Sequence, residues 1–371
     1  MSHTLVGLFP KLLSVGGIQM TGRHTAAVLS RFAAQRGWQT CFLSLNDSQG
    51  LQEAIAGGAS FQFHGFGRRK MRFAFEAFKL ACKDTHLVLA AHPNLAVPAL
   101  GMHARVRELR VVVMSHGVEV WKPLSGVRRA SLRSADCVLA PSRDTAEKLR
   151  SVQKISSERV CILHWGLDPD FLSLALTAET LPQPDSIPRA RYVLAVGRWS
   201  SAERYKGFDT LIRALPQLRR AVTGLKLVFV GDGDDRGALE HLATSLRVRE
   251  HVQFVSGLTR EQLVAAYRDA DIFALPSGGE GFGLVYLEAM ALGRPVVGGN
   301  HGGATDVVED GVTGYLVPHG DVTQLVDRLT RLLTNSQLAA EMGRHGLERL
   351  HQRFRFEKFE AKLCAILSQI T

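Results

Sequence analysis

The chain has 371 residues, 46% of them hydrophobic and 22% charged, with a formal net charge of +10. That length predicts two domains of ordinary size, and no apolar run reaches the roughly 18 residues needed to cross a bilayer, which excludes a helical membrane span. The first 170 residues hold 22 Lys and Arg against 12 Asp and Glu, and the rest balances, so the whole excess lies in the first half. Such asymmetry predicts an anionic partner for that half: membrane phospholipid, a phosphorylated acceptor or nucleic acid.

The N-terminus, MSHTLVGLFPKLLSVGG, has no charged segment ahead of its apolar part. It reads as a strand and a loop, not as a secretory signal. Leu5–Phe9, Cys41–Leu45, Leu87–Ala91, Val111–Met114, Cys137–Ala140 and Val160–Leu163 read as buried parallel strands. Amphipathic runs such as His24–Arg36 and Asp144–Val152 lie between them. Gly16-Gly17 follows the first strand and opens a helix; its amides either face an anion or make a plain turn. Residues 67–83 interleave Arg68, Arg69, Lys70, Arg72, Lys79 and Lys83 with Phe66, Phe73, Phe75, Phe78 and Leu80. That mixture predicts contact with an anionic membrane surface, or else a core-facing helix with a solvated basic face. No nucleic-acid motif accompanies it. His92 and His116 each end a strand, without metal-ligand spacing.

Pro169, Pro182, Pro184 and Pro188 mark residues 169–190 as a linker, between an N-terminal domain (1–168) and a C-terminal one (191–371). The second domain restarts the scheme with Tyr192–Val196, Leu225–Val230, Val252–Val255, Ile272–Leu275 and Val296–Gly298. Arg198 stands at the carboxyl end of the first of these strands, and Lys206-Gly207 follows after a polar loop. Cations placed there stabilise a leaving diphosphate, or are solvated. Gly231-Asp232-Gly233 follows the next strand. Its spacing to Gly237 is off by one for a dinucleotide fingerprint, so no nicotinamide cofactor is expected. Then comes Glu280-Gly281-Phe282-Gly283-Leu284-Val285-Tyr286-Leu287-Glu288. Two acids stand eight residues apart, one in a glycine-rich turn and one in an apolar helical run. Either they grip hydroxyls on both sides of a bound phosphate, a seat for a nucleotide-sugar, or they are solvated acids beside an ordinary helix. Residues 354–370 form a last helix. Cys41, Cys82, Cys137, Cys161 and Cys364 are scattered without CxxC pairs, so a reducing compartment and no zinc site are expected.

The block EGFGLVYLEAMALGRPVV resembles the Glu-x7-Glu donor signature of the retaining glycosyltransferases of family 4 (glycosyl transferases group 1). The resemblance runs nearly the full length and implies an α/β GT-B fold: two doubly wound, Rossmann-like domains facing a central cleft. In that fold the acceptor binds the N-terminal domain and the nucleotide-sugar the C-terminal one, and the last helix often packs back on the first domain. It implies that Arg198 and Lys206 bind the diphosphate, although the loop WSSAERY is longer than the family's usual spacing. By the same resemblance Glu288 binds the ribose and Glu280 the transferred sugar, helped by amides of Phe282, Gly283 and Leu284. Gly231 and Gly233 lie beside the donor, Leu258 and Thr259 flank its base, Gly16 and Gly17 face its phosphates, and His116 lines the sugar site.

The expected activity is transfer of a hexose from UDP- or GDP-hexose to a hydroxyl of a lipid-linked or surface glycan, with α configuration kept. No cofactor and no essential metal are expected, since the basic pair takes that role. The expected location is cytoplasmic, or peripheral on the inner membrane face. The alternatives are a GT-B epimerase or hydrolase of sugar nucleotides, and a catalytically silent membrane-associated scaffold.

Overall fold

The computed structural model describes residues 3–14 and 16–371. The chain divides into two units, Met1–Asp168 with Phe356–Thr371, and Pro169–Arg355. The first unit contains, in order, β1 (Thr4–Phe9), α1 (Gly17–Gln35), β2 (Gln39–Ser44), β3 (Gly50–Ala56), β4 (Ala59–Gly65), α2 (Lys70–Leu80), β5 (Thr85–Ala90), α3 (Ala96–Arg105), β6 (Arg110–Met114), α4 (Gly126–Ser134), β7 (Cys137–Ala140), α5 (Arg143–Ser151) and β8 (Val160–Ile162). Its sheet runs β3-β4-β2-β1-β5-β6-β7-β8. All neighbours are parallel except the β3–β4 hairpin. Sequence reasoning missed this hairpin. Its turn is Gly57-Gly58, both at positive φ, as a two-residue hairpin loop requires.

The second unit contains α6 (Pro169–Leu176), β9 (Tyr192–Val196), α7 (Phe208–Ala221), β10 (Lys226–Val230), α8 (Arg236–Ser245), β11 (Val252–Val255), α9 (Arg260–Asp269), β12 (Ile272–Leu275), α10 (Leu284–Ala291), β13 (Val296–Gly299), α11 (Ala304–Val307), β14 (Gly314–Val317), α12 (Val322–Thr334) and α13 (Ser336–Arg353). Its sheet runs β11-β10-β9-β12-β13-β14, parallel throughout. Strands covered on both faces must be apolar at every position, and β9, β10, β12 and β13 are buried almost end to end. Each fully buried Val, Leu, Ile or Phe contributes about 1.5–3 kcal/mol.

One boundary differs from the sequence reading. Residues 169–190 fall inside the second unit: α6 sets Phe171 against Tyr267, with ring centroids 6.0 Å apart, so the proline-rich stretch is docked chain. The C-terminal helix, Phe356–Ile370, falls in the first unit. Arg31 pairs with Glu360 at 2.6 Å, Phe359 meets Trp165 at 6.0 Å, and a Cβ on Gly57 would stand 2.7 Å from the Phe356 ring.

Candidate functional site

In the second sheet the chain builds outward from β9 to β11, then returns to place β12 on the other side of β9. The carboxyl ends of β9 and β12 therefore flank a topological switch point, where open α/β sheets bind ligands. Gly197-Arg198 leaves β9 there, and Pro276–Gly283 leaves β12. Gly207 stitches the two loops together. It sits at φ 79°, and a Cβ there would lie 2.6 Å from the Pro276 carbonyl oxygen, so only glycine fits. The Gly278 amide also donates to the Tyr205 carbonyl at 2.6 Å.

The long loop does return Lys206 to the strand end. Residues Ser201–Lys206 wind into a short 3-10 segment, and a Cβ on Gly197 would stand 3.7 Å from Lys206 Nζ. Sequence reasoning missed the acid between the two cations. The Glu203 carboxylate pairs with the Arg198 guanidinium and, at 3.2 Å, with Lys206 Nζ. Burial favours its neutral form, but Lys206 and Arg198 outweigh that and hold its pKa below the ordinary value. The WSSAERY stretch marked a loop, but nothing in its spacing showed which way Glu203 turns.

Glu280 carries an unsatisfied oxygen at this place. Its Oε1 is buried with no hydrogen-bond partner. Burial pushes its pKa up; the nearby Lys206 opposes this and Glu203 adds to it. A carboxylate kept in such a setting is a functional-site signal, since desolvation without pairing is costly. Its loop is clasped by Gly302 and Gly303, also missed: the Gly303 amide donates to the Glu280 carbonyl at 2.6 Å, and Cβ atoms at either glycine would strike the 280–282 backbone. The signal was present, a glycine pair after an apolar strand and before a helix. Gly283, at φ 93°, caps α10 and its carbonyl accepts from the Tyr286 amide at 3.1 Å, so the opening amides of Leu284 and Val285 lack intrahelical acceptors. Phe282 is buried against Phe354.

Glu288 lies on α10, half-buried, and its Oε2 accepts the Tyr267 hydroxyl at 2.7 Å. Tyr267 is fully buried on α9; burial and the Glu288 charge hold its pKa far above normal. It fixes the carboxylate's direction, a role that no motif announced. The glycines of the 231–233 turn serve closeness more than amide donation. The Gly231 amide donates to the Val255 carbonyl at 2.9 Å and the Gly233 amide to Asp232 Oδ1 at 2.8 Å. Cβ atoms there would overlap the carbonyl oxygens of Gly197 and Trp199, so the turn seats the Arg198 loop. Thr259 closes a capping box on α9 with Gln262, beside half-buried Leu258.

In the first unit the switch point lies between β1 and β5. Gly16 is the N-cap of α1 and Gly17 its first residue. The preceding loop is fastened by Asp47, which accepts from the Leu12 and Leu13 amides, and by Arg23, whose guanidinium donates to the Leu12 carbonyl. His116 ends β6, 9% exposed, with its backbone amide on Glu119. Its Nε2 lies 2.8 Å from the Ala91 carbonyl oxygen. A carbonyl only accepts, so Nε2 carries a proton. The His92 ring stacks on His116 at 5.9 Å; burial and His116 lower its pKa to about 4. Farther away, α2 buries Phe73 and Ala77 but exposes Met71, Phe75 and Phe78, which share one stripe at i, i+4 and i+7. Exposed Arg68, Arg69, Lys70, Arg72 and Lys79 surround them. Among the described residues no helix is long and apolar enough to cross a membrane, and no group of His, Cys, Asp or Glu could hold a metal ion.

A family model for Glycosyl transferases group 1 matches residues 179–349, and one for Glycosyltransferase Family 4 matches residues 21–171. The chain is 36% identical to a GDP-mannose-dependent alpha-(1-6)-phosphatidylinositol monomannoside mannosyltransferase of Mycolicibacterium smegmatis, over 75% of either chain. In structure it is similar to sucrose-phosphate synthase from Thermosynechococcus elongatus, with a TM-score of 0.79 at 23% identity over 99% of both chains. It is also similar to the Anabaena protein HepE solved in complex with UDP, with a TM-score of 0.74 at 19% identity over 100% of both chains. Two parallel α/β units, matched over both halves by these families, have the architecture of GT-B; the chain belongs to the glycosyltransferases of family 4.

Proposed function

We propose that the protein is a retaining hexosyltransferase. It takes a hexose from a UDP- or GDP-sugar and places it, α configuration kept, on a hydroxyl of a lipid-linked or surface glycan. The observation that carries this reading is the pairing of Arg198 and Lys206 on one carboxylate, beside the unsatisfied Glu280 Oε1, at the switch point of the second sheet. The mycobacterial relative, named for GDP-mannose and a phosphatidylinositol mannoside, favours GDP-mannose as donor and an anionic inositol lipid as acceptor.

In this mechanism the bond from the anomeric carbon to the phosphate oxygen breaks as the acceptor oxygen bonds on the same face. The acceptor proton passes to the leaving phosphate. Arg198 and Lys206 neutralise the charge that develops there, the task a bound metal ion performs in other sites, so the enzyme needs none. Glu280 accepts from sugar hydroxyls, with the α10 amides beside it. Glu288, aimed by Tyr267, accepts from the ribose hydroxyls. Leu258 and Thr259 border the base. For the first unit the family resemblance assigns Gly16 and Gly17 to the donor phosphates and His116 to the sugar. The α2 stripe places this unit against the anionic cytoplasmic face of a membrane, where lipid acceptors reside.

Calorimetry on two variants tests the division of labour. Glu288→Ala should weaken binding of the free nucleoside diphosphate and of the sugar nucleotide alike, because both contain the ribose. Glu280→Ala should spare the free nucleotide, weaken the sugar nucleotide and lower turnover. Equal loss of the free nucleotide in both variants would contradict the assignment.

A further inference from the structure

Glu203 lies on the loop that carries Lys206; its Oε1 accepts from Arg198 Nη2, and its Oε2 is shared between Arg198 Nε at 3.4 Å and Lys206 Nζ at 3.2 Å. Its side chain is 19% exposed and that of Lys206 16%, so the pair is shielded from solvent. The carboxylate thus presents two oxygens to the same two cations that a diphosphate would engage. Its neighbourhood is already rich in acid, since Glu280 feels its charge.

We infer that Glu203 is a built-in counter-anion of the diphosphate seat: it holds Arg198 and Lys206 while the seat is empty, yields them as the donor enters, and reclaims them to expel the product nucleoside diphosphate. The inference rests on the proposed donor site and names a positioning residue within it. Two anions competing for one pair of cations in a half-shielded site repel strongly, because the interaction rises as the effective dielectric falls. A site with both cations bare would bind the substrate's diphosphate and the product's equally tightly, which does not help turnover. A resident carboxylate weakens both and speeds release. The segment is also anchored without Glu203. Ser201 bonds Asp234 through its amide at 3.1 Å, and Arg204 forks onto Asp235 at 2.6 and 3.0 Å. The loop therefore keeps its place when Glu203 yields, and when it is mutated.

The test is the sign of a binding change. Glu203→Gln keeps the shape and removes the charge. Calorimetry with GDP, UDP and inorganic pyrophosphate should show it binding pyrophosphate, and whichever nucleotide the wild type binds, about tenfold more tightly, as expected from losing one close like charge. Turnover should fall together with KM as product release slows. In a Lys206→Ala background the gain should shrink, because Glu203 then competes for Arg198 alone. A strut that merely orients the cations gives the opposite sign, so weaker or unchanged binding by Glu203→Gln, with the wild type still binding nucleotide, overturns the inference alone. Failure of the wild type and the variant to bind any of the three overturns the donor-site reading itself.

Discussion

Lys206→Ala should lower sugar transfer by about a hundredfold or more while the protein stays folded, because a charge-assisted contact to a leaving phosphate contributes on the order of 3 kcal/mol to the barrier. The ammonium is largely shielded, and its neighbours are the Glu203 carboxylate and the Gly197 turn. Removing it leaves Glu203 with Arg198 alone and strips the seat of half its positive charge. The fold should hold, because the loop is anchored by Ser201, Arg204 and the Gly207 contact to Pro276. The loss should appear mainly in kcat, since charge on the phosphate grows as the bond breaks. Steady-state rates with a radiolabelled sugar nucleotide, alongside a thermal melt, check it. Wild-type turnover in a folded Lys206→Ala protein would remove the diphosphate role.

Vesicle binding should depend on α2. Each basic residue near an anionic surface contributes about 1 kcal/mol. Replacing Arg68, Arg69, Lys70 and Arg72 with Ser should therefore reduce binding to anionic vesicles by on the order of 10²-fold or more at low salt. The wild type should itself release as salt rises, since screening shortens the reach of these charges. Met71, Phe75 and Phe78 give a second handle. They are 84%, 60% and 41% exposed, yet lie on one stripe, where a soluble helix places polar groups. Met71→Ser with Phe75→Ser should weaken binding at any salt, because insertion of apolar area is not screened. Co-sedimentation with anionic and neutral vesicles decides it. Equal, negligible binding to both would leave α2 a surface helix and direct the basic unit toward a soluble anionic acceptor.

The sequence showed more of the fold than of the site. Buried parallel strands are apolar at every position, so runs such as Val111–Met114 and Ile272–Leu275 stood out. The β3–β4 hairpin did not, because its strands alternate buried and exposed residues instead of running apolar throughout, although Gly57-Gly58 marked the turn. The C-terminal helix was visible as a helix, but amphipathicity does not say which unit covers the apolar face. Within the site, glycines forced by close approach were legible as motifs: Gly207, Gly283 and the 231–233 turn. The groups that set charge and direction were not. Glu203 lies in a loop of no regular period, Tyr267 belongs to a helix remote in sequence, and Asp47 fastens a loop 34 and 35 residues before it. The resemblance to a family located the cations and acids; the geometry added what holds them.

The most direct test of a retaining glycosyltransferase is the configuration of its product. The protein would be incubated with α-linked UDP- and GDP-hexoses in turn, together with phosphatidylinositol and its mannosides in mixed micelles, and the products followed by NMR. An α-linked glycolipid should form from one of these donors, with one nucleoside diphosphate released per sugar transferred. A β-linked product, or conversion of the sugar nucleotide with no sugar on the lipid, would contradict it.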